Sequence, residues 1–210
     1  MRKMQHGILL GLFSGILLLT SGCATMNESE CRNADWRIIG MEDGASGKKS
    51  SHLGRHRRAC SEYDIIPDLN LYLLGYNQGL GQYCTEQSGY GVGKSGASYN
   101  GICPKTSETL FLEGYRRGRK IYLLQQDIKG LRDSIYSDEI TLRELKDKAR
   151  AKEHEILRED ISQATRGDLL RSVKKMERKI GRLQITIREQ KSNLESREIE
   201  LEEMSTNELH

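Results

Sequence analysis

The chain has 210 residues and a formal net charge of +3, with 33 Lys and Arg against 30 Asp and Glu. That near balance excludes the strong basic field that nucleic-acid binding requires. One Trp, two Phe and nine Tyr leave tyrosine as the main aromatic core former.

The chain opens "MRKMQHGILLGLFSGILLLTSGCATM". Arg2 and Lys3 precede an apolar run from Gly7 to Thr20, too short to span a bilayer as a stable helix. Residues 1–22 therefore read as a secretory signal. "LLTSGC" resembles the lipobox of bacterial lipoproteins, with small Ser21 and Gly22 before Cys23 and Thr20 in place of the usual Leu. The resemblance implies that Cys23 becomes the acylated N-terminus and that its membrane is the first partner. Ala24, not Asp, follows Cys23, which by the same resemblance implies the outer membrane, facing the periplasm.

Four cysteines remain: Cys31, Cys60, Cys84 and Cys103. In an oxidising compartment an even four reads as two disulfides. Three pairings are possible, and Cys31–Cys60 with Cys84–Cys103 is favoured because it closes the shortest loops. No two of them are two to four residues apart, as a structural zinc site needs. Composition shifts near residue 118: 14 glycines fall between residues 24 and 118 and three between 119 and 204. Residues 23–118 read as a small stapled helical domain and 119–206 as a coiled-coil region.

Within the first region, "DWRIIGMEDGASG" places Trp36 four residues before a Gly40/Gly44 pair. Asp35 and Asp68 precede helical segments and are suited to cap them. "SHLGRHRRAC" follows, with His52 and His56 at i,i+4. That is metal-ligand spacing, but Arg55, Arg57 and Arg58 repel a cation, so no metal is expected. The basic face is instead a candidate contact for anionic lipid.

"YLLGYNQGLGQY" (Tyr72 to Tyr83) and "FLEGYRRGRKIY" (Phe111 to Tyr122) align without gaps as aromatic-x-x-Gly-Tyr-x-x-Gly-x-x-x-Tyr. Glycine costs about 1 kcal/mol in a helix interior, so the repetition points to close packing, with aromatics covering the glycines. Between these segments "GVGKSG" imitates the end of a phosphate-binding loop. Ser88 occupies the position where that motif needs its first Gly, and no strand precedes it. Thr85 to Ile102 is therefore expected to be a stapled surface loop, with Lys94 and Tyr99 as candidate partner or ligand contacts.

Beyond residue 118 a heptad seam runs through Leu124, Ile128, Leu131, Ile135, Leu142, Leu145 and Ala149, interrupted at Asp138. A second runs through Val173, Met176, Ile180, Leu183, Ile187, Leu194, Leu201 and Met204, interrupted at Gln190 and Arg197. Gly167 and Asp168 mark a turn near 166–168, which gives an antiparallel helical hairpin; one continuous helix in a parallel homodimer is the alternative. The fold class is mainly α.

The segments "DW…IG…DG", "PDLNLYLLGYNQGLGQYC" and "YNGICP…FLEGYRRGRKIY" resemble a family of small Gram-negative lipoproteins known only as a domain of unknown function. The resemblance covers about Cys23 to Tyr122. It implies an envelope lipoprotein and transfers no catalytic residues. No nucleophile elbow occurs and no Cys–His pair survives oxidation, although Asp35, Asp43, Asp64 and Asp68 offer carboxylates. The chain is thus expected not to be an enzyme and to need no cofactor. It reads as a structural or adaptor lipoprotein whose coiled coil engages a periplasmic or envelope protein. The alternative is a glycan- or lipid-binding module with the coiled coil as spacer.

Overall fold

A computed structural model describes residues 26–206; the signal segment and Cys23 lie outside them. The described residues form seven α-helices and one short 3-10 turn, with no strand. The order is α1 (Glu28–Arg32), α2 (Trp36–Ala45), the turn Ser50–His52, α3 (Leu53–Ser61), α4 (Leu69–Tyr83), α5 (Glu86–Lys94), α6 (Lys105–Ile156) and α7 (Gln163–Thr206).

The head is built from two helix pairs, α2 with α4 and α5 with α6. The glycines set how close each pair comes. A Cβ at Gly40 or Gly44 would lie 2.1 Å from the Tyr72 carbonyl oxygen or 2.3 Å from that of Tyr76. In return, a Cβ at Gly75 would lie 1.8 Å from the Arg37 oxygen and one at Gly79 2.1 Å from that of Met41. Each helix therefore seats its backbone in the other's notch. Both numbers rise together, so the paired helices run parallel.

The second pair repeats this contact for contact. Gly89 and Gly93 meet Phe111 and Tyr115, while Gly114 and Gly118 meet Glu86 and Tyr90. Gly47 and Gly96, both at positive φ (72° and 79°), leave room for the rings of Tyr83 and Tyr122. Tyr76 donates its hydroxyl to the Lys48 carbonyl at 2.7 Å and Tyr115 to that of Ala97 at 3.2 Å, in each case the residue after that glycine. The head is thus two copies of one unit: a glycine-notched helix, a crossover, and a parallel second helix.

Each unit carries its own disulfide, Cys31–Cys60 and Cys84–Cys103. Each bond ties the segment entering the first helix to the segment entering the second. A parallel pair needs this, because the crossover must travel back along the helices. Sequence separations of 29 and 19 residues correspond to about 3–4 kcal/mol of loop-closure entropy each. The double substitution Cys84→Ser/Cys103→Ser is expected to lower unfolding free energy by about 3 kcal/mol, read from urea midpoints under oxidising conditions.

One correction concerns the expected surface loop. Residues 86–94 are helix α5, capped by Thr85, whose hydroxyl accepts from Ser88 N at 3.1 Å. Gly89 and Gly93 serve packing against α6, and only Gly96 and Gly101 have positive φ in that segment. The "GVGKSG" stretch is therefore the end of a notched helix and its left-handed exit.

The hairpin is antiparallel. Arg132 pairs with Glu198, and Lys191 with Glu139. Its turn is residues 157–162, not 166–168, and Gly167 lies inside α7. Arg166 closes α6 by donating to the carbonyls of Ile156 and Arg158, while Ser162 Oγ accepts from Thr165 N. These caps outweigh the glycine, which helix tolerates at about 1 kcal/mol. Two of the three seam interruptions meet: Gln190 Nε2 donates to Asp138 Oδ2 at 3.0 Å, a polar contact that fixes register. No break separates residue 118 from 119, because α6 carries Gly114 and Gly118 and continues to Ile156.

Candidate functional site

The duplication exposes one place where the two units differ in chemistry. In the second unit the corresponding positions carry apolar residues: Val92, half-buried against the core, and Phe111. Phe111 is fully buried against the rings of Tyr83 (5.1 Å) and Tyr99 (4.6 Å). At the matching positions of the first unit stand Asp43 and Tyr72. The fold closes with apolar residues there, so the polar pair is not a requirement of the architecture.

Asp43 is 3% exposed and is the centre of a four-donor cluster. Its Oδ2 accepts from Tyr72 OH at 2.8 Å and lies 2.9 Å from His52 Nδ1 and 3.1 Å from His56 Nε2. Its Oδ1 accepts from Lys48 Nζ at 2.8 Å. With both histidines donating, every partner of the carboxylate is a proton donor. Burial alone pushes the Asp43 carboxyl up, but the bonds from Lys48, His52, Tyr72 and His56 outweigh it and bring the value from 3.8 down to about 2. Burial first, and the neighbouring carboxylate second, push the Tyr72 phenol up, which keeps it a donor.

The local sequence explains the convergence. Asp35 caps α2 by accepting from Arg37 N and Ile38 N, so Asp43 falls two turns later on the face toward α4. His52 and His56 are one turn apart across the 3-10 turn and α3, so both rings reach the same oxygen, 5.0 Å apart and edge to face. His56 Nδ1 is buried without a partner.

Asp43, His52 and His56 each offer a ligand atom, all within 4.8 Å of one another. The oxygen the two histidines share, Oδ2, already accepts from Tyr72 OH, and the other, Oδ1, is held by the Lys48 ammonium. The donor set thus suits a buried anion better than a metal ion.

Above the cluster lies an open groove lined by Lys48, Lys49, Ser51, His52, Arg55 and Arg58. Arg55, Arg57 and Arg58 are exposed on α3, as the sequence suggested for a basic face. The structure separates the other candidates. Lys94 ends α5, exposed, with its ammonium 5.3 Å from the Tyr90 ring centre. Tyr99 is part of the packing and not a free contact: its ring lies against Phe111, its hydroxyl donates to Glu108 at 3.0 Å, and it accepts from Cys103 N at 2.9 Å. The expected lipidation at Cys23 falls outside the described residues.

Sequence reasoning found the two histidines but missed Asp43 as their hub, and with it Lys48 and Tyr72. The signal was present. "GMEDGASG" and "GYGVGKSG" share the spacing Gly-x-x-x-Gly-x-x-Gly. In that alignment Asp43 stands where the other copy has Val92.

Among the described residues no helix is long and apolar enough to cross a membrane. Residues 35–120 match the model of a family described as a protein of unknown function (DUF2799). That span includes both notched units, the polar cluster and the groove. No curated protein and no solved structure matches the chain.

Proposed function

Residues 35–120 of this chain form a domain of that family of unknown function, and from this premise we propose a membrane-anchored envelope lipoprotein that acts as a structural or adaptor protein. Cys23 supplies the anchor, the stapled head sits beside it, and the hairpin reaches into the periplasm toward a protein partner. The supporting observation is the continuity of α6. Its 52 residues run from the head's glycine notch to the hairpin turn, about 78 Å at 1.5 Å per residue. The arm therefore leaves the head as one unbroken helix, and α7 returns along it. Large apolar side chains remain on its outside, among them Tyr136 (68% exposed) and Ile185 (55%).

The test is a photoreactive residue placed at Tyr136 or at Ile185 in the full chain, expressed in the native host. Each is expected to give a discrete adduct with an envelope protein, and Cys23→Ala is expected to release the chain from the membrane fraction. Uniform absence of adducts from an intact, membrane-attached chain would overturn the adaptor reading. The glycan-binding alternative is less favoured. Tyr72, Tyr76, Tyr83, Tyr99, Tyr115 and Tyr122 are engaged in helix packing and form no aromatic platform.

A further inference from the structure

Residues 44–61 contain five Lys and Arg and no Asp or Glu. The fold gathers this run on one side of the head. Lys48 is tied to buried Asp43, and Lys49, Arg55 and Arg58 line the same groove. His52 faces the same groove and is held through its Nδ1 by Asp43. Groups so arranged suit a phosphate oxygen: several cationic donors around an open depression, on a backbone fixed by a disulfide and a buried carboxylate.

A second observation gives the direction of this face. Met26 is buried, with its sulfur 4.0 Å from Cys60 Sγ at the end of α3. Met26 is only three positions after Cys23, a reach of at most about 11 Å. An acyl anchor at Cys23 therefore holds the α3 end of the head against the bilayer. Arg57 and Arg58 lie within one helical turn of Cys60.

We propose that the groove and the exposed arginines of α3 bind the phosphate groups of anionic membrane lipids, so that α3 is the membrane-facing side of the head. The inference rests on the anchored-lipoprotein reading for its orientation. The binding itself does not depend on lipidation, so the two can fail separately.

The experiment uses residues 24–210, which keep every described contact and both disulfides but lack the signal segment and Cys23. Co-sedimentation is measured with vesicles of phosphatidylglycerol and phosphatidylcholine, and with phosphatidylcholine alone. The chain is expected to bind the anionic vesicles only, and less so as salt is raised from about 0.05 to 0.5 M. Lys49→Ala/Arg57→Ala/Arg58→Ala is expected to weaken binding about a hundredfold, since each basic side chain near an anionic surface contributes about fivefold. Its circular dichroism and thermal midpoint should match the parent, because these three side chains are exposed. Equal binding by the folded triple variant overturns the proposal. So does failure of the parent to bind anionic vesicles. Saturable binding of inorganic phosphate with no preference for anionic vesicles also overturns it, in favour of a free anion as ligand.

Discussion

Replacing Gly75 with alanine is expected to unfold the first helix pair. The added methyl carbon would lie 1.8 Å from the Arg37 carbonyl oxygen and 2.7 Å from its carbon. Both are backbone atoms, so no side-chain rotation relieves the clash. The helices must separate, and the contacts of Gly40, Gly44 and Gly79 loosen with them. Overpacking of a well-packed interior costs about 1–3 kcal/mol when side chains can adjust. Here they cannot, so the loss should be at least about 3 kcal/mol. Gly181 is the control, lying in α7 with nothing within 4 Å of an added Cβ. Gly181→Ala should stabilise by about 0.5–1 kcal/mol through helix propensity alone. Urea unfolding of the two variants separates packing from propensity. If both behave alike, the notch is not what holds the head together.

Asp43→Ala is the second large effect. It leaves Lys48, His52, His56 and Tyr72 without their shared acceptor, and stranding buried polar partners costs about 3–5 kcal/mol. The second unit suggests the repair. Asp43→Val with Tyr72→Phe copies Val92 and Phe111, removes one stranded donor with its acceptor, and should cost less than the two single changes added together. The histidines remain unpaired, so recovery should be partial.

The same carboxylate sets an acid limit. Its folded value of about 2 lies below the ordinary 3.8, so the folded state binds its proton less readily than the unfolded chain does. The stabilisation, about 2 kcal/mol, is present above about pH 4 and is lost as pH falls toward 2. Denaturant midpoints taken between pH 5 and pH 2 should decline in the parent and decline less in the Asp43→Val/Tyr72→Phe variant. Parallel declines in both would assign the acid sensitivity to other carboxylates.

Much of this protein was legible as sequence because its rules are local. Cysteine order gave the disulfides, since short loops close most readily. Asp35 and Asp68 were readable as caps because capping is settled within three residues. Heptad spacing gave the coiled-coil seam, which buries Leu124, Ile128, Ile135, Val173 and Ile187, while hairpin and parallel dimer both fitted that spacing. The hairpin turn was misplaced because Gly167 looked decisive in isolation, whereas Arg166 and Ser162 close the helix ends from nearby.

What only the tertiary structure decided is what the glycines face. A glycine in sequence is equally a turn, a flexible loop or a notch, and Gly89 and Gly93 became notches only when α6 lay across them. The parallel direction of each pair, the twofold repetition of the unit and the convergence of His52, His56, Lys48 and Tyr72 on Asp43 depend on contacts between segments as far apart in the chain as Arg37 and Gly75. Spacing along a chain fixes which face of a helix a residue occupies. It does not fix which other helix that face will meet, because that is set by the packing of backbones that can approach only where a side chain is missing.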